Sequence, residues 1–219
     1  MPKKAIILGA TGLTGGALLD LLLNNQSYEK VKVFGRNSTE IEHRKLEEHL
    51  IDMFELEKHK DIFTADVVFC CIGTTKAKTP NKETYKKIDY GIPVSSAKLA
   101  KANDIKTFVV ISALGADASS SVFYNKVKGE MERDVMAQGI KNTYFMQPSL
   151  IGGDRTEKRS GERLAQFFMG TFSFLVPKKY KMIEPKTIAK TMSVVASAGF
   201  SEIRIESDKI KEIAQDTSK

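Results

Sequence analysis

The sequence predicts an α/β protein built on a doubly wound parallel β-sheet with helices on both faces. Three observations carry this expectation. Short apolar runs at residues 4–8, 66–72 and 107–111 alternate with stretches of helical spacing. The runs lack an apolar–polar alternation, as strands do when both faces are buried. A glycine-rich turn joins the first run directly to the first helical stretch, the arrangement that opens a βαβ unit.

Taken in order, residues 4–8 form the first strand and residues 13–23 a helix. Residues 31–34 are a second strand. Residues 40–48 are charged and read as loop or short helix, and residues 49–53 as a third strand. Residues 66–72 form a strongly apolar strand ended by Gly73. Residues 81–103 read as a helix with Ala97, Leu99 and Ala100 toward the core. Pro93 should kink or restart it, because proline lacks the N–H and clashes with the preceding turn. Residues 107–111 are the next strand, residues 119–138 a helix capped by Gly139, and residues 143–146 a strand stopped by Pro148. Further on come helices at 161–169 and 186–198, a short strand at 203–205 and a last helix near 208–214. No repeat or linker interrupts the chain. One domain over residues 1–219 is expected, with about residues 150–219 forming a small substrate-side extension.

A chain of 219 residues, 42 % of them hydrophobic, can build one substantial core and is short for two. The net charge of +7 suits phosphorylated ligands or nucleic acid. The lysines are scattered, however, with no zinc-finger spacing and no aromatic–basic RNA motif, so no nucleic acid is expected. Cys70 and Cys71 are neighbours, and on a strand they would point to opposite faces, badly placed for a disulfide. Without spaced partners they imply no metal site. No stretch reaches the roughly 18 apolar residues of a membrane span, and a cytoplasmic location is expected.

Residues 9–15 read Gly9-Ala10-Thr11-Gly12-Leu13-Thr14-Gly15. Glycines at this spacing permit a tight turn and let the backbone approach a pyrophosphate. The helix that follows offers N–H groups and a positive dipole end to the same anion. Alone the pattern is weak; between a strand and a helix it points to a dinucleotide. The second strand ends Val33-Phe34-Gly35-Arg36-Asn37-Ser38. No acid is there to accept from a ribose 2′-OH, and Arg36 can fork a 2′-phosphate. NADPH/NADP+ is therefore the expected cofactor.

Tyr124 and Lys128 share a helix face at four-residue spacing. Tyr28 and Lys32 repeat the spacing, so the pair alone decides nothing. Position separates them: Ser112 follows the strand at 107–111 and precedes Tyr124 by 12 residues, whereas Tyr28 has no such serine. Reduction of a carbonyl leaves an alkoxide that must be protonated. A phenol can do this when a nearby ammonium favours its phenolate. Lys128 can also hold a ribose, and Ser112 can hydrogen-bond the carbonyl oxygen.

From roughly residue 5 to residue 170 the chain resembles the atypical short-chain dehydrogenases/reductases, in particular the Tat-interacting-protein-like oxidoreductases and their bacterial relatives. The resemblance lies in the glycine turn, in Phe69-Cys70-Cys71-Ile72-Gly73-Thr74-Thr75, in Gly115-Ala116-Asp117, in Tyr124 with Val127-Lys128-Gly129-Glu130, and in Asp154-Arg155 followed by Arg159 and Gly161-Glu162. It implies a Rossmann-type fold that binds NADPH, and Ser112, Tyr124 and Lys128 as catalytic residues. The implied cofactor contacts are Gly9, Thr11, Gly12, Leu13, Thr14, Gly15, Arg36, Asp52, Met53, Cys71, Ile72, Gly73, Thr74, Tyr124, Lys128, Pro148, Leu150 and Ile151. Arg36 would meet the 2′-phosphate, and Pro148 with its neighbours would flank the nicotinamide. The chain departs from the family at Gln147-Pro148-Ser149, where Arg-Pro-Gly is the pattern.

The expected function is NADPH-dependent reduction of a carbonyl on a small molecule. The alternative is an NADPH-binding regulator that acts through a protein partner or as a homodimer with little turnover. A sugar-nucleotide epimerase fits less well, because the chain is short for a full substrate domain. Lys76 and Lys78 should lie at the cleft mouth, where one could attract an acidic substrate group. Residues 164–180, rich in phenylalanine and broken by Gly170 and Pro177, read as a wall or lid of the substrate pocket.

Overall fold

The computed structural model describes residues 2–152 and 178–216. Among these, seven strands form one parallel sheet: β1 (Lys3–Leu8), β2 (Tyr28–Gly35), β3 (Leu46–Leu50), β4 (Val67–Cys70), β5 (Thr107–Ile111), β6 (Asn142–Gln147) and β7 (Arg204–Glu206). Their order is β3-β2-β1-β4-β5-β6-β7. The chain winds outward from β1 to one edge, returns, and winds from β4 to the other. This is the doubly wound α/β sheet expected from the sequence. Its strand order reverses between β1 and β4, where ligands bind in such folds.

Successive side chains on a strand point to opposite faces. Ala5, Ile7, Val67, Phe69 and Val109 pack on one face, against α1 (Leu13–Asn24) and α5 (Pro185–Ala198). Ile6, Leu8, Val68, Cys70, Phe108 and Val110 pack on the other, against α3 (Ile92–Ala102) and α4 (Phe123–Met136). Both faces are covered, which is why the apolar runs show no alternation. Cys70 and Cys71 do face opposite layers, and both are free thiols.

Two local expectations need correction. The third strand lies at Leu46–Leu50, not at 49–53. It is an edge strand, so it tolerates charge: Glu47 accepts from Lys30 of β2 at 2.7 Å. Residues after it form 3₁₀ turns over Met53–Ile62. The helix expected from residue 119 starts at Phe123, because Asp117 and Ser120 turn the chain first by accepting from the backbone N–H of Ser119 and Val122.

The helix around Pro93 restarts there, as expected. It begins as α2 (Lys82–Lys86), widens into a turn of π-helix over Lys87–Gly91, and continues as α3. Pro93 cannot donate to the carbonyl four residues back, and its ring crowds that carbonyl. The widened turn accommodates it and carries Asp89 inward.

The described part of the expected substrate-side extension is largely core. It supplies β7, and it supplies α5 and α6 (Ser207–Asp216), whose Ile188, Met192, Ile210 and Ile213 join the cluster with Leu18, Leu19 and Leu22. Leu150, Ile151, Lys179, Tyr180 and Glu206 are its described residues on the cleft. The expected helix at 161–169 and nearly all of the aromatic segment at 164–180 lie outside the described residues.

Candidate functional site

A cleft of about 1440 Å³ opens beyond the C-terminal ends of β1, β4, β5 and β6. Pockets for small ligands span roughly 300–1,000 Å³, so this one has room for a dinucleotide together with a substrate. The glycine turn forms one wall through Thr11, Gly12, Leu13 and Thr14. Gly9 and Gly15 lie beneath it. Gly9 has a φ of +84°, and a Cβ on Gly15 would sit 2.1 Å from the Gly9 carbonyl oxygen. The N-cap of α1 is Gly12, which has no side chain to cap it with, and no acid stands in the first turn. The backbone N–H groups there suit an anion.

Opposite the turn, Tyr124, Lys128 and Glu132 form one stripe along α4, at four-residue spacing. Tyr124 is 41 % exposed and lines the cleft. Lys128 is buried. Its Nζ lies 3.0 Å from Asp89 Oδ1 and donates to the Ile111 carbonyl at 3.3 Å. Burial alone would lower the Lys128 ammonium. The charge of Asp89, then that of Tyr124, outweighs it and holds the group above its ordinary value. Asp89 Oδ2 accepts from the Thr74 N–H at 2.7 Å. One buried carboxylate therefore ties the loop after β4 to the lysine on α4.

Ser112 stands at the end of β5, only 2 % exposed. Its Oγ donates to Glu132 Oε1, which also accepts from Gln147 Nε2 at 2.8 Å. Arg204 Nε donates to Glu132 Oε2 at 2.6 Å. The Ser112 and Leu114 N–H groups donate to the Met146 and Pro148 carbonyls, which brings Pro148 beside the serine.

Ser112, Tyr124 and Lys128 share the cleft with Cys71, Ile72, Gly73, Thr74, Pro148, Leu150 and Ile151. Besides Gly9 and Gly15, which lie beneath the turn, three expected contacts are not on its wall. Arg36 is exposed just past the end of β2, the strand beside β1. The Asp52 carboxylate accepts from the Phe54 N–H, and Met53 is buried in the core with Phe34 and Phe63. Burial pushes the Cys70 thiol up to about 11 and raises Cys71 as well. Lys76 and Lys78 both line the mouth, as do Lys82 and Lys179.

Sequence reading missed Asp89 and Glu132. Glu132 carried a signal, because it continues the Tyr124–Lys128 spacing by one more turn. Asp89 carried none beyond its place four residues before Pro93. No group of His, Cys, Asp and Glu suited to a metal ion occurs among the described residues.

A family profile described as NAD(P)H-binding matches residues 9–173. Protein HTATIP2 of Rattus norvegicus is 31 % identical over 211 residues, covering 94 % of this chain and 87 % of that protein. The mitochondrial protein FMP52 of Candida albicans is 34 % identical over 169 residues, 74 % of each chain. Among solved structures, the enzyme WbmH of Bordetella bronchiseptica in complex with NAD+ has a TM-score of 0.70 at 17 % identity, over 98 % of this chain and 80 % of that one. At that identity the likeness is one of fold.

The expectation of a cytoplasmic location is overturned by these relatives. The FMP52 proteins of Candida albicans, Scheffersomyces stipitis, Meyerozyma guilliermondii and Aspergillus niger are all designated mitochondrial. No described helix is long and apolar enough to cross a membrane, but that observation does not distinguish one aqueous compartment from another.

Proposed function

The chain belongs to the NAD(P)H-binding short-chain dehydrogenase/reductase family of the HTATIP2 type, and on that premise we propose that it is an NADPH-dependent reductase of a small carbonyl compound, with Tyr124 as the acid. The observation that carries the reading is the buried Asp89–Lys128 pair, which holds an ammonium one helical turn from Tyr124 on the wall of the cleft.

The glycine turn and the N-terminus of α1 would hold the pyrophosphate, and Arg36 the 2′-phosphate. Gly73, Thr74 and Lys128 would hold the nicotinamide ribose, with Pro148, Leu150 and Ile151 flanking the ring. Gly9 and Gly15 support this fit, because a side chain on either would close the turn. When bound, the cofactor supplies a hydride. Tyr124 then donates its phenolic proton to the substrate oxygen, and the charge on Lys128 stabilises the phenolate left behind. Asp89 keeps Lys128 in place and charged. Residues 1–219 act as one cofactor-binding unit in this scheme.

The test is NADPH oxidation with a panel of aldehydes, ketones and quinones. Turnover by the unmodified protein that disappears in Tyr124→Phe supports the reading. NADPH binding without turnover of any carbonyl would replace it with a regulatory role exerted through a protein partner.

A further inference from the structure

We infer that Ser112 meets its substrate as a hydrogen-bond acceptor, that Glu132 sets this polarity, and that the substrate carries a hydroxyl or amine donor beside the carbonyl. That the reacting group is a carbonyl rests on the reductase reading. That its neighbour is a donor rests on the surroundings of Glu132.

Glu132 is a carboxylate 2 % exposed, deep beneath the site. Both of its oxygens already accept from nitrogen donors, Gln147 Nε2 at 2.8 Å on Oε1 and Arg204 Nε at 2.6 Å on Oε2. Three donors converge on Glu132, and a carboxylate in that setting acts as the acceptor. In the hydrogen bond between Ser112 Oγ and Glu132 Oε1 the serine is the donor. A serine hydroxyl has one proton and two lone pairs. With its proton committed inward, Ser112, a residue of the cleft lining, is left with lone pairs to accept with.

Turning that proton toward a substrate carbonyl would strip a donor from a buried carboxylate, and bonds to charged groups are the costly ones to break. Tyr124 keeps the role of donor to the carbonyl oxygen. A hydroxyl or amine on the adjacent carbon can donate to Ser112 without disturbing Glu132. Glu132 is thus a positioning residue. Gln147 from β6 and Arg204 from β7 fix it from two neighbouring strands, and the Arg204 guanidinium also covers the Phe145 ring at 5.7 Å.

The test compares α-hydroxyacetophenone with acetophenone. Affinity for the NADP+-loaded protein is measured by calorimetry, and turnover with NADPH is followed in parallel. The hydroxy ketone should bind about tenfold more tightly, the effect of one net hydrogen bond. Ser112→Ala should bring the ratio close to one. Glu132→Gln can donate an amide N–H to Ser112 and release the serine proton, so it should lower the ratio without weakening acetophenone. A merely structural Glu132 would weaken both ketones alike and leave the ratio unchanged, which overturns its assignment.

Equal affinity for the two ketones in the unmodified protein, including none for either, overturns the inference. So does a preference that survives Ser112→Ala, a variant that removes only a hydroxyl and decides the matter if Glu132→Gln does not fold. A binding preference without turnover rejects the reductase reading alone. Turnover of both ketones with equal affinity rejects the donor alone.

Discussion

Lys128 Nζ lies 3.0 Å from Asp89 Oδ1, with both side chains almost wholly removed from solvent. The pair joins α4 to the widened helical turn before Pro93, and through the Thr74 N–H to the loop after β4. Three segments that line the cleft therefore depend on one buried contact.

Removing one partner leaves an uncompensated buried charge. Lys128→Met and Asp89→Asn should each lower stability by about 3–5 kcal/mol in urea denaturation. Asp89→Asn combined with Lys128→Met removes both charges of the pair and should recover most of that loss. A single variant within about 1 kcal/mol of the parent would contradict this account of the pair.

The same pair sets a pH dependence. Burial opposes the ammonium, but Asp89 and Tyr124 raise Lys128 above the ordinary 10.5. A group raised on folding contributes stability that is fully present below its unfolded value and is lost as pH rises through its folded value. The melting-temperature gap between the parent and the double variant should stay flat from about pH 6 to about pH 10, then change as the parent loses this contribution. A gap that already shifts near neutral pH would place the Lys128 titration too low for this account.

Tyr124→Phe should lower turnover by about 10²- to 10⁴-fold and leave cofactor affinity nearly unchanged. Tyr28→Phe is the control. The Tyr28 hydroxyl is buried without a hydrogen-bond partner among the described residues, and burial pushes it up to about 12. Deleting an unsatisfied buried hydroxyl should leave turnover intact and stability equal or slightly higher. Full activity in Tyr124→Phe would remove it as the acid.

Arg36→Ala should weaken NADPH binding by about tenfold to a hundredfold, the range of a lost charge-assisted contact, and change NADH little. Calorimetry on both cofactors decides it. Equal affinity of the unmodified protein for NADPH and NADH would end the assignment of Arg36 to a 2′-phosphate.

Lys76 and Lys78 line the cleft mouth. If they attract an acidic substrate group, replacing both with alanine should raise the Michaelis constant and flatten its salt dependence, because exposed charges act through a screened field. No change in either would leave them as solvated loop charges.

Several site features were legible in the sequence for local reasons. The glycine turn sits between two strongly patterned elements. The Tyr124–Lys128–Glu132 stripe follows from helix geometry, although only its first two members drew notice. The third strand was misplaced because its charged residues hide an edge strand whose partner lies on β2. The start of α4 was misplaced because side-chain turns at Asp117 and Ser120 compete with the helix.

By itself, the sequence determined the parallel sheet, its two covered faces and the turn built to approach a phosphate. These follow from hydrophobic periodicity and from glycine sterics, both written in neighbouring residues. Only the tertiary structure decided that Asp89 meets Lys128, that the Ser112 proton goes to Glu132, and that Arg204 closes that network from the sheet edge. Each of these contacts joins residues distant in the chain, and strand order brings them together. Periodicity shows that a residue is buried, but the buried charge it meets depends on which strands become neighbours.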